Sequence, residues 1–500
     1  MLFKSYLKSS KKHISFCVNK SQNHTNRFGK ASHFVLAIVG GTSSMKTGYI
    51  HRKSMNPCGL RFDSSYHLSD GVAVKRVIAS SPYPLMPIEK AADRIFIGGR
   101  ARRVYVKDRE HGIPFLSSSD ILQADLEAVK LASKKYTPNV EDMKLQKGWT
   151  LITRSGTIGN CAFANAKHAQ KLASEHVIRL VPNNILREGY IYAYLASKQG
   201  YSLLTQGTFG AVIQHIEPAY VASLPIPVAS ESFQQEVDDL IQESANNRKD
   251  AADLLAKAIN IMDLELNSKV LDKKYGSINS HNISNRFIRF DAQYQLGKES
   301  LRNSRNTSIP FCKIGSYASK IFIGNRGKRY YVNKKGIPFL SSSDMMLANP
   351  VRFSKMISKN TPGIDEMIVQ PGYILISRSG TVGNTILVGE ALANCAVSEH
   401  AMRLVIDDSR IDPEYVFTYL LSKQGQQTLK LLPYGSVIVT LGEDFLADID
   451  LPLIESETYN FIVQTIKSYV SLRDKAIALE NKAISMVEQE IDSWSVRKEK

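Results

Sequence analysis

Arg100, Arg102 and Arg103, followed by Tyr105, stand just after a pair of glycines in this 500-residue chain. The grouping returns as Arg326, Lys328, Arg329 and Tyr331. A guanidinium can bridge the O6 and N7 atoms of guanine or clamp a phosphate. Glycine lets the backbone approach a groove closely. The plainer alternative is a solvated basic turn. Arg154 and Arg378 each open an Arg-Ser-Gly-Thr turn. Its free backbone N–H groups suit a phosphate, and an ordinary β-turn with the arginine paired internally suits the sequence as well. A third pair of loops, Gly207-Thr208-Phe209-Gly210 and Pro433-Tyr434-Gly435-Ser436, carries different aromatic tips. It fits either a groove-reading element or a hydrophobic lid. The residues expected to contact DNA are therefore Arg100, Arg102, Arg103, Tyr105, Arg154, Thr208, Phe209, Arg326, Lys328, Arg329, Tyr331, Arg378, Tyr434 and Ser436.

Catalytic chemistry finds little support. The chain has no GxxxxGK[ST] loop, no G-x-G-x-x-G and no HExxH. It has no Asn-Pro-Pro-Tyr or Asp-Pro-Pro-Tyr box, and Arg154-Ser155-Gly156 lacks the upstream glycine of a nucleophile elbow. Ser174-Glu175-His176 and Ser398-Glu399-His400 recur, but neighbours on a strand point to opposite faces, so the three are not expected to converge. His176 and His400 read as structural. No catalytic residue and no metal ligand is assigned.

These motifs belong to a tandem duplication. Ile95-Phe96-Ile97-Gly98 returns as Ile321-Phe322-Ile323-Gly324, and Gly112 to Asp120 reappears unchanged as Gly336 to Asp344. Ser197-Lys198-Gln199-Gly200 matches Ser422-Lys423-Gln424-Gly425. Each copy begins with short β-type runs broken by Gly, Pro, Ser and Asn, with a helix expected near Tyr190–Leu204 and near Glu414–Leu431. Each copy ends in a proline-free helical stretch. Val463, Ile466, Val470, Ile477, Ile484, Val487, Ile491 and Trp494 recur by threes and fours, interrupted by Arg473 and Glu480. Val237, Ile241, Leu255, Ile259, Met262 and Leu266 form the matching stripe, interrupted by Arg248. A bare apolar stripe needs a partner, and the other copy's helix is the obvious one. The expected fold is α+β: two β-rich domains alternating with two long helices paired as an antiparallel coiled coil, related by a pseudo-two-fold. The expected boundaries are a basic extension at 1–57, a domain at 58–228, a helix at 229–272, a second domain at 286–453 and a second helix at 456–496.

The net charge of +17 is unevenly spread. Residues 1–60 hold ten Lys or Arg and no acid, so the remaining residues carry 54 basic and 47 acidic groups. The extension reads as a disordered or transit-like arm, or as an untranslated stretch ahead of Met45 or Met55. No run of 18 apolar residues exists to span a bilayer, and no membrane role is expected. Five scattered cysteines suit a reducing cytosol rather than a disulfide framework or a zinc site.

The order globular–helix–globular–helix, the RSGT turn after a Gly-aromatic-x-Leu-Ile strand, and the Leu224-Pro225-Ile226-Pro227 exit into a coiled coil resemble the specificity (S) subunit of type I restriction–modification systems. The resemblance covers about residues 60–495. It implies two target-recognition domains, each reading one half of a bipartite double-stranded DNA site. It implies helices that set the spacing and dock methyltransferase (M) subunits, with a restriction (R) subunit completing the complex. S-adenosylmethionine, ATP and Mg would then sit on partner subunits, with no cofactor on this cytoplasmic, non-catalytic chain. A duplicated coiled-coil adaptor without DNA binding is the alternative that the residues alone leave open.

Overall fold

The structure is a computed structural model. It describes residues 14–17, 33–39, 45–51, 63–100, 103–209, 214–267, 289–303, 305–352, 354–435 and 439–497. Residues 268–272 of the expected first helix, Arg102 and Ser436 lie outside the described residues. The chain divides into two compact units. The first comprises Met1–Ile121, Val129–Gln242 and Lys482–Lys500, and the second Leu122–Ala128 and Glu243–Asn481.

In the first unit, one antiparallel sheet runs in the order Cys161–Phe163, Thr150–Thr153, Val177–Pro182, Ala92–Ile97. A second runs Leu172–Ala173, Gly112–Leu116, Lys130–Ser133, Tyr105–Val106, with its first pair parallel. The second unit rebuilds both sheets from Ala318–Ile323, Ala401–Ile406, Ile374–Ser377 and Thr385–Leu387, and from Tyr331–Val332, Lys355–Ile357, Ile337–Leu340 and Ala396–Val397. The repeated strings are thus a repeated topology. Within the expected extension, three strands, Ile14–Cys17, His33–Val39 and Met45–His51, form an antiparallel sheet. The apolar run of the middle strand is strand-like in composition.

Arg179 sits at the centre of Val177–Pro182, and Arg403 at the matching point of Ala401–Ile406. Both are fully buried. Arg179 donates to the carbonyls of Ser174, Val177, Ala173 and Met143, and Arg403 to those of Ser398, Ala401, Val397 and Met367. Burial pulls each guanidinium down to about 10, which leaves it charged at neutral pH. The guanidinium lies against Gly98 or Gly324. A Cβ there would come within 2.9 Å of Arg179 Nη2, or 2.7 Å of Arg403 Nη2. This contact explains the glycine of the repeated Ile-Phe-Ile-Gly string.

The expected helix near Tyr190–Leu204 is two helices, Glu188–Ala196 and Lys198–Gln206, and the second copy has Pro413–Leu421 and Lys423–Leu431. Ser197 and Ser422 are extended (ψ 164° and 161°) and cap the second helix, each Oγ accepting from the N–H of Gly200 or Gly425 at 3.0 and 3.1 Å. A Cβ at Gly200 would meet the Tyr194 carbonyl at 2.1 Å. Serine for the cap and glycine for the close turn give the Ser-Lys-Gln-Gly string a local reason. Tyr190 and Tyr415 donate to the carbonyls of Pro227 and Pro452, both at 2.8 Å, and so anchor the proline exits.

The long helices are Glu231–Leu266 and Ser456–Arg497. In the second unit they run antiparallel: Glu243 pairs with Lys475, Lys257 lies over the Phe461 ring, and Thr458 donates to Glu265. Of the polar interruptions of the stripe, Arg473 and Glu480 are buried and Arg248 is half-buried, and all three are paired. Glu480 accepts from Arg248 at 2.9 Å and from Asn349, and Arg473 donates to the Leu387 carbonyl at 2.8 Å and to Asp474. The first copy's seam is narrower in bulk than the sequence suggests, because Ala245, Ala251 and Ala258 are buried where Leu255 and Ile259 are only half-buried. The first unit takes the opposite ends of both helices, including Val237, Ile241, Val487, Ile491 and Trp494, all buried.

Gly98→Ala is expected to destabilise the protein by about 1–3 kcal/mol through overpacking against Arg179. Gly99→Ala, whose nearest neighbour would be Asn139 Nδ2 at 3.9 Å, should stay within about 0.5 kcal/mol. Urea unfolding of the two variants decides it, and equal losses would remove the arginine contact as the reason for the glycine.

Candidate nucleic-acid interface

The basic loop leaves the strand Ala92–Ile97 at Gly98 and enters Tyr105–Val106. Arg100 is exposed. Arg103 forms an ion pair with Glu175 and lies 5.0 Å over the Phe115 ring. Tyr105 is exposed, meets Phe115 edge-on at 6.2 Å, and carries Lys130 Nζ 5.1 Å over its own ring. The second copy repeats each contact. Arg329 pairs with Glu399 and lies 4.7 Å over Phe339, Tyr331 meets Phe339 at 6.2 Å, and Lys355 stands 5.4 Å over Tyr331. Arg326 and Lys328 are exposed, with Lys328 Nζ 5.7 Å over Tyr330. Each copy therefore presents an edge-on aromatic pair with a cation above its tyrosine, beside a basic loop.

Arg154 and Arg378 take the internal alternative. Both are buried. Arg154 donates to the Ile216 carbonyl at 3.2 Å and pairs with Glu217, and Arg378 donates to the Leu441 carbonyl at 3.3 Å. In this arrangement Arg154 serves the segment behind the turn through Nε and Nη2, and Arg378 serves it through Nε. The turn itself needs glycine, with φ of 81° at Gly156 and 75° at Gly380.

Strand alternation is not what keeps Ser174 apart from Glu175 and His176: Ser174 is buried, and the hydroxyl beside His176 is that of Ser155. Glu175 and His176 sit in a turn ahead of the strand Val177–Pro182, so strand alternation does not apply to them. His176 Nε2 lies 3.6 Å from its neighbour's Glu175 Oε1, and its Nδ1 is 2.7 Å from Ser155 Oγ. His400 repeats this with Glu399 and Ser379, at 3.6 and 2.7 Å. Burial alone would raise the Glu175 carboxyl, but its own backbone N–H, Arg103 and His176 outweigh it and hold it below the usual range.

The third loop closes on the same place. Phe209 and His215 exchange backbone hydrogen bonds at 3.0 Å, their rings are 4.2 Å apart, and Ser155 forms a bridge with His215. Thr208 donates to the Thr205 carbonyl at 2.9 Å, which keeps its hydroxyl on the helix end. Tyr434 pairs with Thr440, which Ser379 bridges in turn, and the Tyr434 ring lies 5.5 Å from Phe445. One strip in each copy thus joins the basic loop, the Ser-Glu-His turn, the RSGT turn and the aromatic loop. Sequence reasoning missed Glu175, Glu399, Lys130, Lys355 and His215. The first four were accessible through their recurrence at the repeat spacing.

Among the described residues, Asp108, Glu110 and His111 are the group whose ligand atoms lie close enough for a metal. All three are exposed, and the backbone and ring of His111 hold the Asp108 carboxyl below its usual range. The second copy has Asn333, Lys334 and Lys335 here, so the group is not part of the shared strip. Among the described residues no helix is long and apolar enough to cross a membrane.

Residues 98–248 match the family model of the Type I restriction modification DNA specificity domain, in agreement with the resemblance seen in the sequence. No curated protein matches the chain. Among solved structures, the chain is similar to the S subunit of a type I restriction–modification system from M. genitalium. The identity is 14%, the match covers 84% of this chain and 94% of that one, and the TM-score is 0.30. It is also similar to the HsdS subunit from Thermoanaerobacter tengcongensis, at 12% identity over 82% of this chain and 96% of that one, with a TM-score of 0.27.

Arg154→Met should cost about 1–3 kcal/mol, since it leaves the Ile216 carbonyl and Glu217 without their donor. Arg100→Ala should stay within about 0.5 kcal/mol. Thermal unfolding separates the buried from the surface arginine, and equal losses at the two positions would contradict this division.

Proposed function

We propose that this chain is the DNA-recognition subunit of a type I restriction–modification complex. The observation that carries the reading is a coincidence of place. The segment 98–248 that matches the specificity-domain model holds the basic and aromatic strip, and the same strip is rebuilt around Arg329, Tyr331 and Lys355. In this reading each copy takes one half of a bipartite duplex site. Lys130 and Lys355, fixed over tyrosine rings, suit backbone phosphates, which position a protein without reading sequence. Exposed residues that differ between the copies, such as Val104 against Tyr330 and Phe209 against Tyr434, suit the differing bases of the two halves. The long helices set the distance between the halves and dock methyltransferase subunits, and a restriction subunit completes the assembly. S-adenosylmethionine, ATP and Mg belong to those partners, and this chain performs no chemistry of its own.

Sequencing methylated positions in a genome that expresses the chain with its methyltransferase tests the reading. A target of two specific parts separated by a fixed gap is expected, and a single contiguous target would overturn it. Lys130→Ala should weaken DNA binding to a similar degree for all sequences and lower the salt slope of log K by about 0.9, the loss of one phosphate contact. Titration of binding against salt measures it.

A further inference from the structure

Arg103 and Arg329 look from the sequence like free cations for DNA, yet the structure gives each a carboxylate. Glu175 and Glu399 are more deeply covered than the arginines they hold, with 12% and 14% of the side chain exposed against 31% and 25%. Each carboxylate is met on more than one side. His176 stands at 3.6 Å from the other oxygen of Glu175, the charge of the buried Arg179 guanidinium attracts it, and the Phe115 ring lies 5.0 Å from the arginine. The second copy has His400, Arg403 and Phe339 in the same roles. An arginine whose charge is met inside the domain gains little from a passing phosphate. Sequence-independent binding is almost wholly a matter of phosphate charge, so a cation withheld from phosphates lowers binding to the wrong sites more than to the right one.

We infer that Glu175 and Glu399 are positioning residues for specificity: each occupies one guanidinium with an internal carboxylate and so withholds it from indiscriminate phosphate contact. This rests on the DNA-reading function proposed above. It goes beyond that reading by giving a role to two acids on a basic surface.

The test uses the full chain, purified as wild type, Glu175→Gln, Glu399→Gln and the double variant, titrated with a random-sequence 30-base-pair duplex at several salt concentrations. Glutamine keeps the shape and removes the charge. Each single variant should bind random duplex several-fold more tightly at low salt and show a log–log salt slope steeper by about 0.9, with about twice that change in the double variant. Adding Arg103→Met to Glu175→Gln should return the slope to the wild-type value. A merely structural glutamate would not move this slope. An unchanged or shallower slope in folded Glu175→Gln and Glu399→Gln overturns the inference, and so does a steeper slope that survives Arg103→Met. If one single variant fails to fold, the other copy's variant decides alone. Wild-type protein with no salt-dependent binding would instead sink the underlying DNA-reading function, a result distinct from an unchanged slope in a protein that binds.

Discussion

A charged guanidinium with no exposure to water stands in the middle of each β-rich domain, and the surrounding backbone is arranged to tolerate it. An isolated buried charge is very costly, and it survives only when its donors are met. Arg179 meets most of this condition through its two terminal nitrogens, which donate to carbonyls, three of them from residues 173–177, while its buried Nε has no partner. To reach one side chain, those carbonyls must turn inward together, which folds residues 174–176 into a tight turn. That turn carries Glu175 and His176. The guanidinium also needs a face without a Cβ, which Gly98 provides, and Gly98 is where the basic loop begins. The loop and the turn are brought together because both close on the same buried cation. The Arg103–Glu175 pair and the His176–Ser155 bond follow from that meeting.

The same dependence crosses the repeat. The Lys198 N–H donates to Glu488 at 2.7 Å and its Nζ to Asp492 at 2.7 Å, while the Lys423 N–H donates to Asp263 at 2.8 Å. The globular part of each copy is thus docked on the long helix of the other copy. Exposed ion pairs of this kind contribute little energy, and apolar contact does more. In the first unit Tyr83 meets the buried Trp494 at 6.1 Å. Neither repeat could therefore complete its own unit from its own sequence. The boundary between units falls within both long helices for that reason.

Much of this was legible, and the gaps have a common cause. Repeated strings disclose repeated topology, because identical residues at a fixed spacing meet the same local constraints. The Ser-Lys-Gln-Gly string gave away its recurrence but not its effect, which is to break one helix into two at the capping serine. Charged residues were hardest to place. Composition records that Arg154, Arg179 and Arg103 are cations, but not that the first two are buried and the third is paired. One signal was available: Arg179 and Arg403 each interrupt an apolar strand run, Val177-Ile178-Arg179-Leu180 and Ala401-Met402-Arg403-Leu404. A strand covered on both faces has no solvent side for an arginine, so such a residue must find partners within. Glu175 and His176 were misjudged for a related reason. The strand begins at Val177, after the motif ends, so alternation does not govern Glu175 and His176, which lie in the turn.

The two strips share a frame and differ at the rim, and the difference has a consistent physical sense. Arg154 has Glu217 beside it where the second copy has Gly442, and Asp108 and Glu110 stand where the second copy has Asn333, Lys334 and Lys335. The frame residues are tied to the buried arginine and cannot vary without loss of the fold. Asp108 and Glu110 are exposed and can vary without that cost, whereas Glu217 is tied to the buried Arg154. A duplicated domain can then acquire two specificities while both copies keep one architecture. The first rim is richer in acids and the second in lysines, so an approaching polyanion would meet unequal fields at the two copies. On the proposed reading, the second copy supplies more of the sequence-independent attraction, and the first depends more on the directed contacts of Arg103, Tyr105 and Phe209.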